Sequence, residues 1–474
     1  MKMNKVNRQR PFGAKDKWSY AMGDLGCNMS FALNSYLMLF YTQYIGLDLG
    51  TWGIIILLLK IWDAINDPIM GALMDALKPG KRGKFKTYIY YGSFVLLFSG
   101  ALCFLPIPSA PYPIKVLVCV VGYLIWDMAY TVVNVPYGAM NAAITTDPTE
   151  RAQLSTYRGI GSMIANIVVL ITLPLLCYDK DNNLIGSRMF IVALVLGIIG
   201  FAAFQILIKG TVERVAVSHE PQEKVKFNYF ESLSAFLKNK AVVAIMIASI
   251  ALIIMQIGLS SANQIVFQSY FKNAKLSGIL GLATMIPSLI VIPLVKPTVQ
   301  RFGKREAAAA PMLIGILAAA GIVFLPITPD NTGMMIYIIL AVLINSSCIF
   351  FSTVVWALVA DSVDYQELQT GKREEGTIYA TYSLGRKLAQ GVGVSIVSFL
   401  LILTGYDENL GAQQSVDVAR NVLILIGLVY AVCVAAQYIC LRFVYPLDKN
   451  KTLELEKKLG RSNVELIGET GDEE

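Results

Sequence analysis

The sequence predicts an all-α integral membrane protein whose twelve transmembrane helices fall into two six-helix bundles, with both termini in the cytoplasm. Three observations carry that expectation. Hydrophobic residues make up 55% of the 474-residue chain and charged residues 15%, with a mean hydropathy of +0.57, far from the balance of a soluble domain. The apolar residues collect in twelve runs, each long enough for a bilayer crossing of about 20 residues. A polar linker, 209–237, separates six runs from six. The expected organisation is a basic leader at 1–18, a first bundle at 19–208, the linker, a second bundle at 238–445 and a tail at 446–474.

The first run, 19–46, follows Lys2, Lys5, Arg8, Arg10, Lys15 and Lys17. It contains polar residues and no A-x-A cleavage site, so it is expected to remain as a membrane helix. The second, 51–76, leads into Lys78, Lys81, Arg82, Lys84 and Lys86. The third and fourth, 87–108 and 114–145, flank a loop without lysine or arginine. The fifth and sixth, 153–177 and 188–208, end at the linker with Lys209, Arg214, Lys224 and Lys226. The seventh and eighth, 240–271 and 276–297, exit at Arg301, Lys304 and Arg305. Runs 307–327 and 333–362 enclose a loop with no basic residue, as do 377–405 and 417–444, and the tail carries Lys449, Lys451, Lys457, Lys458 and Arg461. Basic residues therefore alternate with the loops, Lys180, Arg188, Lys272 and Lys275 being exceptions, and this bias sets the orientation. The net charge of +7 follows from those loops and is no sign of a nucleic-acid partner. A short echo, Lys78-Pro-Gly-Lys-Arg82 against Gly303-Lys-Arg305, is weak support for duplication.

Composition also excludes chemistry. The single histidine, His219, lies in the linker, so an intramembrane histidine relay is ruled out. The seven cysteines are scattered without a C-x-x-C pair, which predicts neither a disulfide framework nor a zinc site. No nucleophile–base pair or P-loop is present, and the tail is too short for a phosphotransfer module, so an enzyme is not expected and no cofactor is implied.

The most informative segment is Lys60-Ile-Trp-Asp-Ala-Ile-Asn-Asp-Pro-Ile-Met-Gly71. An ionisable group within an apolar span costs roughly 2.5–3.5 kcal/mol on the insertion scale. Asp63, Asn66 and Asp67 share one helix face, since they stand three and four residues apart. Such oxygens suit a small hard cation or a shared proton; a structural polar knot is the alternative. Asp127, Thr131 and Asn134 also share a face, with Asp127 about 10 Å from Asn134 along the axis. Asp24 and Asn28 are four apart in the first run, and Trp126 and Tyr130 offer aromatic surface.

These residues and their neighbours carry a family resemblance. Tyr20-Ala-Met-Gly-Asp-Leu-Gly26, Ile61-Trp-Asp-Ala-Ile-Asn-Asp-Pro-Ile-Met-Gly71, Arg82-Gly-Lys-Phe-Lys86, Val133-Asn-Val-Pro-Tyr-Gly138, Glu150-Arg-Ala-Gln-Leu154 and Val359-Ala-Asp-Ser-Val-Asp-Tyr365 occur in one order. In that order they resemble the melibiose permease-like glycoside–pentoside–hexuronide:cation symporters of the major facilitator superfamily, over essentially the whole membrane domain. The resemblance implies uptake of a glycoside or oligosaccharide coupled to Na⁺ or H⁺ by alternating access. It implies cation coupling through Asp63, Asn66, Asp67 and Thr131, with Asp63 and Asp67 holding Na⁺ if sodium is the ion. It implies a substrate site including Asn28, Asn134, Arg158 and Lys387, to which the spacing adds Asp24, Trp126 and Tyr130.

The chain departs from the pattern where Asn134 and Asn28 replace family acids and Gly138 replaces a tryptophan. Asp127 is a candidate to supply the charge that Asn134 lacks, an acid on an aqueous wall being the alternative. Lys387 is expected to balance the acid pair; with Arg158 and Arg386 it is also a candidate partner for a hexuronide carboxylate. Arg151, Asp361 and Asp364 are expected at an inner gate. The competing function on the same fold is a proton-coupled transporter of a drug or lysolipid. The expected partners are a small-molecule glycoside and membrane lipid, with the monomer as the working unit in the cell's inner (plasma) membrane.

Overall fold

The structure, a computed structural model, describes residues 10–76, 82–214, 239–371 and 375–459. His219, Lys78, Lys81, most basic residues of the leader and linker, and the acidic end of the tail lie outside the described residues. The described chain is helical, and ten of its helical stretches are long and apolar enough to cross a membrane. The first and third expected spans are helical too, at Ala14–Phe31 with Asn34–Leu39 and at Lys84–Leu102, but are not among those ten. Large apolar side chains stand outward, including Leu317 at 74% and Phe324 at 83% exposure, as lipid-facing residues do.

The chain forms two compact units: residues 1–224 with 267–279 and 407–414, and residues 225–266 with 280–406 and 415–474. Unit one contains α1 (Ala14–Phe31), α2 (Asn34–Leu39) with a π-helical turn at Phe40–Ile45, α3 (Leu49–Ala76), α4 (Lys84–Leu102), α5 (Tyr112–Ile144), α6 (Pro148–Cys177) and α7 (Gly186–Gly210). Helix α1 packs on α6 and α7, α4 on α5 and α7, and α3 on α5.

Local chemistry explains the helix ends. Asp147 caps α6 by accepting from the Thr149 and Glu150 amides, and Pro148 takes the first turn, where its missing N–H is harmless. The α4 N-terminus is capped from a distance, because Glu213 accepts from the amides of Lys84, Phe85 and Lys86 at 2.9–3.2 Å. Beside it Asp16 is ringed by Arg10 and Arg214 at 2.8 and 3.0 Å, which fastens the start of α1 to the end of α7.

Unit two contains α8 (Lys240–Ile253), a π-helical turn at Ile254–Gly258, α9 (Leu259–Ile265), most of α10 (Ser277–Phe302), α11 (Lys304–Ala309), α12 (Met312–Phe324), α13 (Asn331–Ser347), α14 (Ile349–Thr370), α15 (Glu375–Leu403), α16 (Val416–Ile439) and α17 (Lys449–Lys458). Helix α12 packs on α13 and α16, and α8 on α15 and α16. A buried polar knot sits in its core: Asn263 donates to the Tyr430 hydroxyl at 3.2 Å and accepts from the Tyr337 hydroxyl.

Without a hydrophobic drive between lipid-bathed helices, close backbone approach supplies the packing. Gly161 on α6 shows this, since a Cβ there would lie 2.1 Å from the Ala21 carbonyl oxygen of α1. Gly159, two residues away, has nothing within 4 Å of the same added carbon. Gly161→Ala is therefore expected to lower the melting temperature of the detergent-solubilised protein by several degrees and to impair transport. Gly159→Ala should match the parent in both assays.

Candidate functional site

Helices α1, α5 and α6 bring the first group of residues together. Asp24 on α1 meets Arg158 on α6, with the Arg158 Nε donating to the Asp24 Oδ1 at 3.0 Å. The guanidinium lies over the Tyr137 ring, 5.0 Å from its centre. That ring is fixed in turn: the Tyr137 hydroxyl donates to the Tyr20 carbonyl at 2.9 Å, and the Tyr20 hydroxyl to the Tyr137 carbonyl at 3.3 Å. Asn28 turns its amide back onto its own helix, donating to the Asp24 carbonyl at 2.8 Å. Trp126 donates to the Ser30 hydroxyl at 2.7 Å and stacks on Tyr130, which meets Phe31. These aromatics form a ladder beside α1. Asn134, half-buried, is two turns further along α5 than Asp127.

The second group joins α3 to α5. The Thr131 hydroxyl donates to the Asp67 Oδ1 at 3.1 Å. Asp63 and Asn66 are buried on the same face of α3. Lys60, one turn before Asp63, is buried and places its ammonium 3.3 Å from the Asp63 Oδ2. The ammonium also lies over the Tyr123 ring at 5.6 Å, with the buried Asp127 within its electrostatic reach. Three acids, one amide, the Thr131 and Tyr123 hydroxyls and one ammonium thus share the region where α3 meets α5. Among the described residues, no group of three or more His, Cys, Asp and Glu is close enough together to hold a metal ion.

Unit two carries the remaining candidates. Lys387 is half-buried on α15. Arg386 donates to the Tyr382 hydroxyl at 3.3 Å and lies over the Trp356 ring at 5.7 Å, which is a packing role. Asp361 and Asp364 lie inside α14 and not at its end, because the helix runs on to Thr370 and stops at the left-handed Gly371. Asp361 takes the Lys304 ammonium at 2.6 and 2.8 Å. Arg151, in the first turn of α6, donates to the carbonyls of Thr145 and Ala142.

Residue patterns alone understate three interactions. Lys60 was visible as a charge in an apolar run, and its spacing of three from Asp63 is the signal for the ion pair. The Asp24–Arg158 pair spans 134 residues and had no local signal. Tyr137 and Tyr20 are buried aromatics whose pairing depends on how closely α1 and α5 approach at Gly23.

Residues 19–449 match the family model described as MFS/sugar transport protein. An uncharacterised symporter of Bacillus subtilis (strain 168), YjmB, is 29% identical over 97% of this chain and 98% of its own length. The isoprimeverose transporter of Lactiplantibacillus pentosus is 29% identical over 83% of this chain and 81% of its own. The solved structure of a bacterial homologue of the human lysosomal transporter Spinster superposes with a TM-score of 0.61 at 12% identity, over 90% of this chain and 97% of that one, a likeness of fold. Ten apolar helices, charged residues paired inside them and a family match across nearly the whole chain lead to one assignment: this is a multi-pass plasma-membrane sugar symporter, belonging to the MFS/sugar transport family within the glycoside–pentoside–hexuronide:cation symporters of the major facilitator superfamily.

Proposed function

We propose that the chain imports a glycoside or oligosaccharide by alternating access, with H⁺ as the coupling ion carried on the α3 acids. The observation that carries the ion is the Lys60 ammonium, 3.3 Å from Asp63. A hard metal ion needs several oxygen ligands at once, and a fixed ammonium beside one of them competes for that oxygen. A proton needs one carboxylate. Asp67, with the Thr131 hydroxyl at 3.1 Å, is the carrier in this reading, and Asp63 and Asn66 shape its surroundings. Asp127 takes the acid role that Asn134 lacks by sharing the Lys60 charge across α3 and α5. Na⁺ held by Asp63 and Asp67 is the alternative.

The substrate residues of this proposal are Asp24, Asn28, Trp126, Tyr130, Asn134, Arg158 and Lys387. The Trp126–Tyr130 stack supplies the flat apolar face that a sugar ring covers, and the Asp24–Arg158 pair supplies an acceptor and a donor side by side. Arg151, Asp361 and Asp364 are the gate candidates. The present partners of Arg151 and Asp361, two backbone carbonyls and Lys304, are contacts that a gating step would exchange. The proposed topology is twelve spans with both termini cytoplasmic, in a monomer bathed by lipid. The relative named for isoprimeverose supports that sugar as one of the first substrates to try.

Uptake into membrane vesicles under separately imposed H⁺ and Na⁺ gradients tests the ion. The expected result is accumulation with the H⁺ gradient alone; accumulation with Na⁺ alone would transfer the coupling to a metal ion. Asp67→Asn is expected to bring gradient-driven accumulation to background while exchange of labelled sugar across the membrane continues. Lys60→Gln should impair transport strongly, since removing one partner of a buried pair costs about 3–5 kcal/mol. Adding Asp127→Asn to Lys60→Gln should recover part of the loss, a non-additivity that independent residues would not show.

A further inference from the structure

Gln43 closes the helical run that Asp16 opens, so it marks the opposite end of unit one. A tight hairpin joins α6 to α7 there. Tyr178 and Leu184 form a bridge, and the Asp179 Oδ1 accepts from the amides of Asp181 and Asn183 at 2.8 Å. Asn182 stands at the hairpin tip with a left-handed backbone. Its side chain donates to the Lys272 carbonyl at 2.8 Å and accepts from the Ala274 amide at 2.9 Å. Its own carbonyl accepts from the Gln268 Nε2 at 3.0 Å. Gln268, fully buried, exchanges hydrogen bonds with the Gln43 side chain at 2.8 and 3.0 Å. The Lys272 ammonium donates to the Ala412 carbonyl. Gly278 lets the same segment lie against α6, since a Cβ there would be 1.8 Å from the Leu170 carbonyl oxygen. All of these residues belong to unit one, although 267–279 and 407–414 run on in the chain into helices of unit two.

We infer that Asn182 is the hub of an amide latch, which holds the outer end of unit one shut and opens to admit sugar. The inference rests on sugar symport by alternating access and on the orientation proposed above. Among the described residues, Asn182 and Lys272 are the two non-glycine residues with a left-handed backbone, at φ 64° and 51°, and they bond to each other. Asparagine tolerates that conformation, whereas lysine adopts it at a cost. Backbone of this kind persists where neighbours impose it, and it gathers in segments that switch. Opening frees Lys272 from its strained conformation, which offsets part of the hydrogen bonding lost. The bonds themselves suit repeated breaking. Apart from one ammonium they join amides and carbonyls. A cavity of about 390 Å³, lined by Gln43, Asn183, Gly411 and Gln413 among others, borders them. Amides that part beside water exchange one partner for another at small net cost. A parted buried ion pair would leave two charges uncompensated. The hub needs a residue that accepts left-handed backbone and also carries both a donor and an acceptor. Asparagine meets both needs, while glycine keeps only the turn.

The test joins an opening assay to transport, using the full chain in right-side-out vesicles. Ala274 is fully buried and enters the latch only through its backbone amide, so Ala274→Cys is the reporter. A membrane-impermeant maleimide is added outside, and labelling of the seven native buried cysteines in the parent is the blank. The reporter should label slowly in the parent background. Adding Asn182→Gly, which preserves the turn and removes the amide, should speed labelling by at least about threefold. Gln43→Met, which deprives Gln268 of its partner, should act in the same direction. Without the reporter, Asn182→Gly should lower the external KM for sugar and lower the maximal rate as well, because the outward-open form gains population. A merely structural residue would lower the rate alone. The transport panel is labelled isoprimeverose, xylosides, galactosides and glucuronides. Parent-like labelling in both variants overturns the latch and leaves symport standing. So does faster labelling with KM and maximal rate unchanged, or a reporter labelled only from the inside. A parent that moves no sugar of the panel overturns the symport reading, and the labelling rates then judge the latch by themselves. Should Asn182→Gly fail to insert, Gln43→Met decides by the same two readouts.

Discussion

A charged side chain among apolar helices is tolerated where a partner offsets its desolvation, a penalty of several kcal/mol per ion, and unit one is organised by that constraint. Asp16 is held by Arg10 and Arg214, Asp24 by Arg158, and Lys60 by Asp63. Two of the three join separate segments. The first ties the leader and α7 to α1, and the second ties α1 to α6. The third lies within α3 and faces α5 through Tyr123. Moving α1 against α6, or against the end of α7, therefore means breaking or re-forming a charge pair.

The charge pairs need close backbones. Arg158 reaches Asp24 because α6 approaches α1 at Gly161, and Tyr137 lies against α1 because Gly23 leaves room for its ring. Small residues and ion pairs are thus two halves of one device. The glycines remove the steric bulk that would hold the helices apart, and the charges gain most in the apolar surroundings that close packing creates.

Much of this was legible in the residues. The apolar runs announce the helices, and the stripe of Asp63, Asn66 and Asp67 announces a polar face on α3, because helical periodicity is local. Thr131 was placed near the acids by resemblance, and its hydroxyl does meet Asp67. The long-range pairings were not legible. Nothing near Asp24 in the chain points to a guanidinium 134 positions later, and nothing near Lys84 points to Glu213 as the cap of α4. Helix ends within polar stretches were also obscure. The apolar signal fades near residue 362, yet α14 continues to Thr370, since backbone hydrogen bonds carry a helix beyond the part that lipid would cover. The partners that Arg151 and Asp361 take, backbone carbonyls and Lys304, belong to the same class of non-local fact.

The stretch from Lys240 to Tyr270 holds two π-helical turns, at Ile254–Gly258 and Val266–Tyr270, on either side of α9. Each such turn spends an extra residue on one revolution, which is about 100° of helical phase. The side chains of α9 are therefore rotated out of step with those of α8, and a wheel drawn through the whole span misassigns its faces. Asn263 meets Tyr337 and Tyr430 in that shifted phase. Deleting one residue within Ile254–Gly258 would return the span to a continuous α-helix and carry the Asn263 amide about a quarter-turn away from both tyrosines. Length in this span thus works as an angular setting, so an insertion or deletion there acts as a rotation of everything that follows up to the next turn.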